Sequence, residues 1–263
     1  MVEPKVPGRR LARTGWIPMY HGAWAMIVVP PLLGVIRGGF VAAHVPLLAT
    51  WWIGYFFFYA ATLWLRSHGK KKYLRPVIAY GITAAVCGVA VWITAPYAWR
   101  WVPLFLPLIA YAAWAAWKRK DRALASGLDT TLAASLMLPV VWDVGSAGTA
   151  GIAASPFIWI LTGFLFGYFG GTVFYVKTNI RERRSDTYLW ISIVWHAAWC
   201  AAAVVCAAHG AVSWGFAAVW LVIFVRAIAV PLIGRHAKVP VAAIGVGELV
   251  ISALILLAGA EVF

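Results

Sequence analysis

Residues 156–186 read PFIWILTGFLFGYFGGTVFYV followed at once by KTNIRERRSD. The first part, 156–176, holds no charged residue, and at about 1.5 Å of rise per residue it is long enough to cross a hydrocarbon layer of roughly 30 Å as a helix. The second part places Lys177, Arg181, Glu182, Arg183, Arg184 and Asp186 within ten residues. An apolar run that ends this abruptly in charge is a helix leaving lipid for water.

The whole chain of 263 residues repeats that alternation. Hydrophobic residues make up 63% and charged residues only 11%, although the formal net charge is +14. Soluble domains keep roughly a quarter of their residues charged, so this composition belongs to an integral membrane protein. It also excludes a nucleic-acid binder, which spreads its basic residues over a hydrophilic face that is missing here.

Nine apolar stretches are predicted as membrane helices: 19–36, 44–65, 76–95, 101–117, 127–145, 156–177, 188–208, 211–230 and 239–258. The fold class expected is an all-α polytopic transmembrane bundle, with a basic tail (1–18) ahead of a single membrane domain (19–263). The first and fourth stretches are short and contain proline, and Pro30-Pro31 is expected to break or kink the first. With helices alternating across the membrane, every Lys and Arg except Arg37 and Arg100 falls on one side. By the positive-inside rule that side is cytoplasmic, so the N-terminus is expected inside, the C-terminus outside, and the location is the bacterial cytoplasmic membrane. The first apolar stretch offers no small-x-small cleavage site and is expected to be retained. Cys87, Cys200 and Cys206 all fall inside predicted spans and read as packing residues.

Functional candidates are polar residues that stand out against this background. Glu248 lies mid-way along the ninth stretch, where a carboxylate is costly unless paired, protonated or facing a wet cavity; beside it, Gly245 and Gly247 point to close helix packing. Asn179, Glu182 and Asp186 follow the sixth stretch at i, i+3 and i+7. If the helix continues, their oxygens share one face that suits Mg²⁺ bridged to a diphosphate, with Lys177 and Arg181 within reach of the phosphate. The alternative for this cluster is a positive-inside anchor with internal salt bridges. His21 and His196 are further candidates, the latter on a stripe with Ser185, Ser192 and Cys200 that has the spacing to face a cavity. None of the six histidines lies in a haem-attachment motif. Asp121 reads as a neutralised loop charge, Asp129 as a cap at the start of the fifth helix, and Asp143 as interfacial. Gly163, Gly167, Gly170 and Gly171 give the sixth helix a face for close backbone approach, and Trp195 and Trp199 are candidates for a lipid or isoprenoid groove.

Tyr20-His21-Gly22-Ala23-Trp24-Ala25-Met26, Lys72-Tyr73-Leu74-Arg75-Pro76 with Tyr80-Gly81, and Val176 through Arg183 resemble the motifs of the YwiC-like family of bacterial membrane proteins over most of the chain. More distantly, the chain resembles the UbiA family of intramembrane prenyltransferases. That resemblance implies nine helices with a cytoplasmic N-terminus, and Mg²⁺-diphosphate sites in the second-to-third and sixth-to-seventh loops. Asn179, Glu182 and Asp186 match the second of those motifs. The first has no counterpart, because Arg66 to Tyr73 contains no carboxylate; Lys71 and Arg75 would then hold phosphate directly. Two functions are expected from these readings. One is a pocket open to the cytoplasm that binds an isoprenoid or lipid phosphate as a degenerate prenyltransferase. The other is an ion- or proton-coupled carrier working through Glu248, or a non-catalytic accessory subunit.

Overall fold

The computed structural model describes residues 14–19, 22–149, 151–153, 155–237 and 239–261. Among them all regular structure is helical: α1 (Ala23–Gly38), α2 (His44–Arg66), α3 (Leu74–Thr94), α4 (Val102–Trp117), α5 (Leu124–Ser135), α6 (Met137–Gly145), α7 (Pro156–Ile180), α8 (Asp186–Ala208), α9 (Trp214–His236) and α10 (Val241–Ala260). Helices α5 and α6 form one broken rod, Leu124–Gly145. The break at Leu136 follows from Pro139, which has no N–H for the Ser135 carbonyl four residues back. Counted so, nine helices correspond to the nine predicted stretches, and seven of them are long and apolar enough to cross a membrane. The remaining two, α1 and α4, are 16 residues each, or about 24 Å, and are the two stretches expected to be short.

Helix α1 continues through Pro30 and Pro31, so of the two expected outcomes, a break or a kink, the break does not occur. The reason lies in the next helix. Pro31 leaves the Ile27 carbonyl without its helical donor, and that oxygen accepts the indole N–H groups of Trp51 at 2.9 Å and Trp52 at 3.3 Å. A freed carbonyl in an apolar interior is tolerated once a neighbouring helix supplies a donor. On its other face α1 meets α6 backbone to backbone. A Cβ at Gly34 would stand 2.8 Å from the Leu138 carbonyl oxygen, and one at Gly38 would stand 2.8 Å from that of Trp142.

Helix α7 is the axis of the bundle. In its most apolar window 61% of residues are buried, against none for α3 with its preceding turn, which packs at the periphery. Leu161, Phe164, Leu165 and Tyr168 of α7 form the main core with Leu33 of α1, Leu138 of α6, Ala203 of α8, Trp220 of α9 and Ile255 of α10. The glycine face of α7 packs differently from expectation, since rings rather than a backbone fill it. Trp199 lies over Gly167, and His196 Nε2 would be 2.8 Å from a Cβ at Gly171. Trp195 donates to the Gly167 carbonyl at 2.8 Å. These tryptophans therefore pack against α7.

The basic loops gather at one end of the bundle. There Arg66, the last residue of α2, pairs with Asp121, before α5, at 3.0 Å, which gives the neutralised loop acid a partner 55 residues away. At the opposite end Asp143 is completely buried, not merely interfacial. It accepts from Arg100 Nη2 at 2.6 Å, Trp101 Nε1 at 2.8 Å and the Gly151 N–H at 2.9 Å. That carboxylate ties α6 to the turn before α4 and to the loop before α7. Asp129 is six residues into α5 and does not cap it.

Trp51→Phe should lower the stability of the detergent-solubilised protein by about 1 kcal/mol, the usual worth of one hydrogen bond, read from its thermal unfolding midpoint. Adding Pro31→Ala returns an N–H to the Ile27 carbonyl and should recover part of that loss.

Candidate functional site

Tyr168, Thr172 and Tyr175 fall at i, i+4 and i+7 on α7 and so line one stripe. Opposite the stripe, Arg226 of α9 forms an ion pair with Glu248 of α10. Thr172 Oγ1 donates to Glu248 Oε2 at 2.8 Å, and Tyr168 Oη donates to the same oxygen at 3.3 Å. The Ser252 hydroxyl lies 2.9 Å from Tyr168 Oη and itself donates to the Glu248 carbonyl at 2.7 Å. The Arg226 guanidinium also lies over the Tyr175 ring at 4.2 Å, a favourable cation–π geometry. Glu248 is 8% exposed. Its pairing answers the cost of a carboxylate at that depth, while the flanking Gly245 and Gly247 face open space rather than a packed helix. Arg226 corrects the sequence reading: that reading assigns it to the basic side, whereas α9 holds it within the bundle, paired with Glu248.

The charged cluster after α7 divides. The helix ends at Ile180, and α8 begins at Asp186 behind Ser185, whose hydroxyl accepts from the Tyr188 N–H. The continuous face on which Asn179, Glu182 and Asp186 were expected to converge is not formed. Asp186 pairs with Arg235 at 2.5 Å, and the Asn179 side-chain amide donates to the Tyr175 carbonyl at 2.8 Å. Arg183 Nε donates to the Gly234 carbonyl at 2.5 Å, placing a cation at the C-terminal end of α9 as the helix dipole favours. Asp186 and Arg183 dock the loop on α9 while the Asn179 amide bonds within α7, so the shared face expected to hold Mg²⁺ is absent. No group of three or more His, Cys, Asp or Glu residues able to hold a metal ion occurs among the described residues.

Lys177 and Arg181 go the other way. They border a cavity of about 440 Å³ between α1, α2, α4, α5 and α7. Its walls are mainly apolar, with Met26, Tyr55, Phe58, Phe169 and Val173 among them, and its polar margin adds Asp121, Ser126, Thr130 and Thr131. Thr172 belongs to both places, lining the cavity while bonding Glu248. A second, open pocket of about 350 Å³ lies beside it, with Arg66, Lys70 and Arg119 on its rim.

The predicted residues thus fall into separate groups. Lys177 and Arg181 share the cavity. Lys71 and Arg75 are exposed near the start of α3 and do not line it. His196 is buried, with Nδ1 2.6 Å from the Ser192 carbonyl oxygen, and its stripe packs on α7 instead of facing a cavity. His21 lies outside the described residues, although Gly22, next in sequence, lines the cavity. Sequence reasoning missed Arg226, Tyr168, Thr172 and Tyr175. The readable signals were an arginine and a glutamate inside consecutive apolar runs and the i, i+4, i+7 hydroxyl spacing.

Arg226→Met and Glu248→Met should each destabilise the protein by roughly 3–5 kcal/mol, because each strands the other charge in the interior. The double variant should be more stable than either single one. Denaturant titration in detergent micelles measures all three.

The first half of the chain matches a family model described as YwiC-like protein over residues 17–142. The chain is 31% identical to the protein named "Uncharacterized protein YwiC" of Bacillus subtilis over 181 residues, covering 68% of this chain and 73% of that one. It is 25% identical to an "Uncharacterized protein" of Haemophilus influenzae over 179 residues, covering 67% of this chain and 72% of the other. No solved structure matches it. The identity and mutual coverage with the Bacillus subtilis protein place this multi-pass chain in the YwiC-like family.

Proposed function

We propose that the protein binds an anionic amphiphile, an isoprenoid or lipid phosphate, in the cavity at the basic end of the bundle. The observation that carries this reading is the joining of an apolar chamber of about 440 Å³ to two cationic side chains, Lys177 and Arg181. Ligand sites that bury an apolar body and fix its orientation with a few polar groups have this character. An ammonium and a guanidinium, both rich in donors, suit phosphate oxygens. Orientation by the positive-inside rule would open the cavity to the cytoplasm.

The ligand class is the one implied by the resemblance to intramembrane prenyltransferases. The mode of binding is not. Phosphate is held directly by Lys177 and Arg181, with no Mg²⁺ bridge through Asn179, Glu182 and Asp186, and no transfer step is assigned. The carrier reading rests on Glu248, whose carboxylate is committed to Arg226, Thr172 and Tyr168 and does not line the cavity. The geometry favours the amphiphile-binding reading over that one.

Binding of farnesyl phosphate and farnesyl diphosphate to the full chain in detergent, measured by native mass spectrometry, tests the reading. Lys177→Gln with Arg181→Gln should weaken both at least tenfold, the scale of one or two charge-assisted hydrogen bonds. Asp186→Asn should stay within about twofold, as should addition of a chelator. Unchanged affinity in the Lys177–Arg181 double variant overturns the reading.

A further inference from the structure

The hydrogen-bonding sense of the cavity differs from wall to wall. On the α7 side Lys177 and Arg181 can only donate. On the α5 side the hydroxyl protons are already used within the fold: Ser126 Oγ donates to the Lys120 carbonyl at 2.8 Å, Thr130 Oγ1 to the Ser126 carbonyl at 2.8 Å, and Thr131 Oγ1 to the Leu128 carbonyl at 2.9 Å. What these groups have left is lone pairs. Asp121, a carboxylate, adds a further acceptor to the same margin. The floor follows the same rule, since Thr172 Oγ1 donates to Glu248 at 2.8 Å.

A bare phosphate satisfies only the donating wall. A head group that satisfies both carries a phosphate toward Lys177 and Arg181 and hydrogen-bond donors toward α5. The charge balance then separates ammonium from hydroxyl donors. Asp121 is already neutralised by Arg66 at 3.0 Å, so the two cations of the α7 wall leave the lining net positive. A head with net negative charge is preferred to a zwitterion of no net charge, which leaves hydroxyls as the donors.

We infer that the cavity selects polyol phosphates, lipid or isoprenoid phosphates esterified to a glycerol-like or sugar-like head, with Lys177 and Arg181 on the phosphate and Ser126, Thr130 and Asp121 accepting from the hydroxyls. This inference rests on the amphiphile-binding reading and names the head group it left open. The apolar walls argue for a lipid rather than a free polyol phosphate.

The test compares short-chain phosphatidylglycerol, phosphatidic acid and phosphatidylethanolamine with soluble glycerol phosphate, titrated against the purified full chain in detergent by native mass spectrometry. Phosphatidylglycerol should bind roughly tenfold more tightly than either other lipid, and glycerol phosphate should compete only weakly. Ser126→Ala with Thr130→Val should bring the ratio of phosphatidylglycerol to phosphatidic acid affinity toward one, whereas Thr130→Ser, which keeps the hydroxyl, should preserve it. Phosphatidic acid or phosphatidylethanolamine binding as tightly as phosphatidylglycerol overturns the inference, as does a ratio that survives removal of both hydroxyls. Glycerol phosphate binding as tightly as the lipid overturns the assignment of a tailed ligand. The amphiphile-binding reading fails separately, when Lys177→Gln with Arg181→Gln leaves every phosphate bound as before.

Discussion

A carboxylate and a guanidinium inside a bundle of apolar helices cannot turn to water, and the way Glu248 and Arg226 meet constrains much of the second half of the molecule. The pair joins α9 to α10, and Tyr168, Thr172 and Tyr175 bring α7 onto it from the side. Because the polar contacts come from three helices, sliding any one of them leaves a buried charge or hydroxyl unsatisfied. Lipid offers little hydrophobic drive for helix association, so directional contacts of this kind and close packing must set the register. Asp143 does at the opposite end of the bundle what Glu248 does within it, binding α6 to two connecting segments through a fully buried carboxylate.

The first half is held by close packing and shared carbonyls. At Gly34, Gly38 and Gly145 the backbones of α1 and α6 approach too closely for a Cβ, and the Ile27 carbonyl freed by Pro31 is returned to the hydrogen-bonded state by α2. These contacts seat α1 beside α2, α5 and α7, and the cavity opens among those helices. Thr172 is where the two halves meet, with its hydroxyl on the ion pair and its side chain on the cavity wall. The proposed binding site and the stabilising pair thereby flank one helix, α7, with separate partners.

The number of helices and their approximate limits were legible because hydrophobicity over about twenty residues is a local property of the chain. Even the short α1 and α4 could be recognised. The charged cluster after α7 was legible as a cluster, and two of its members, Lys177 and Arg181, border the cavity. Its division was not legible. Whether Asn179, Glu182 and Asp186 share a face depends on where α7 stops, and Asp186 is drawn to Arg235, which is 49 residues away. Helix ends are set by caps and docking partners, which periodicity does not report. Lys71 and Arg75 carried the right charge for phosphate, yet the turn before α3 leaves them exposed and away from the cavity.

By itself, then, the sequence determined a multi-pass helical membrane protein with its basic residues gathered in particular loops, since composition and the length of apolar runs depend only on neighbours along the chain. The tertiary structure alone decided which charges become partners and which are left at the cavity. Arg226 was drawn inward to Glu248, Asp121 to Arg66, and Arg183 to the end of α9, leaving Lys177 and Arg181 at the cavity. The physical reason is that an ion pair or hydrogen bond acts over a few ångströms of space, and the residues that satisfy one another here lie 22 to 55 positions apart in the chain.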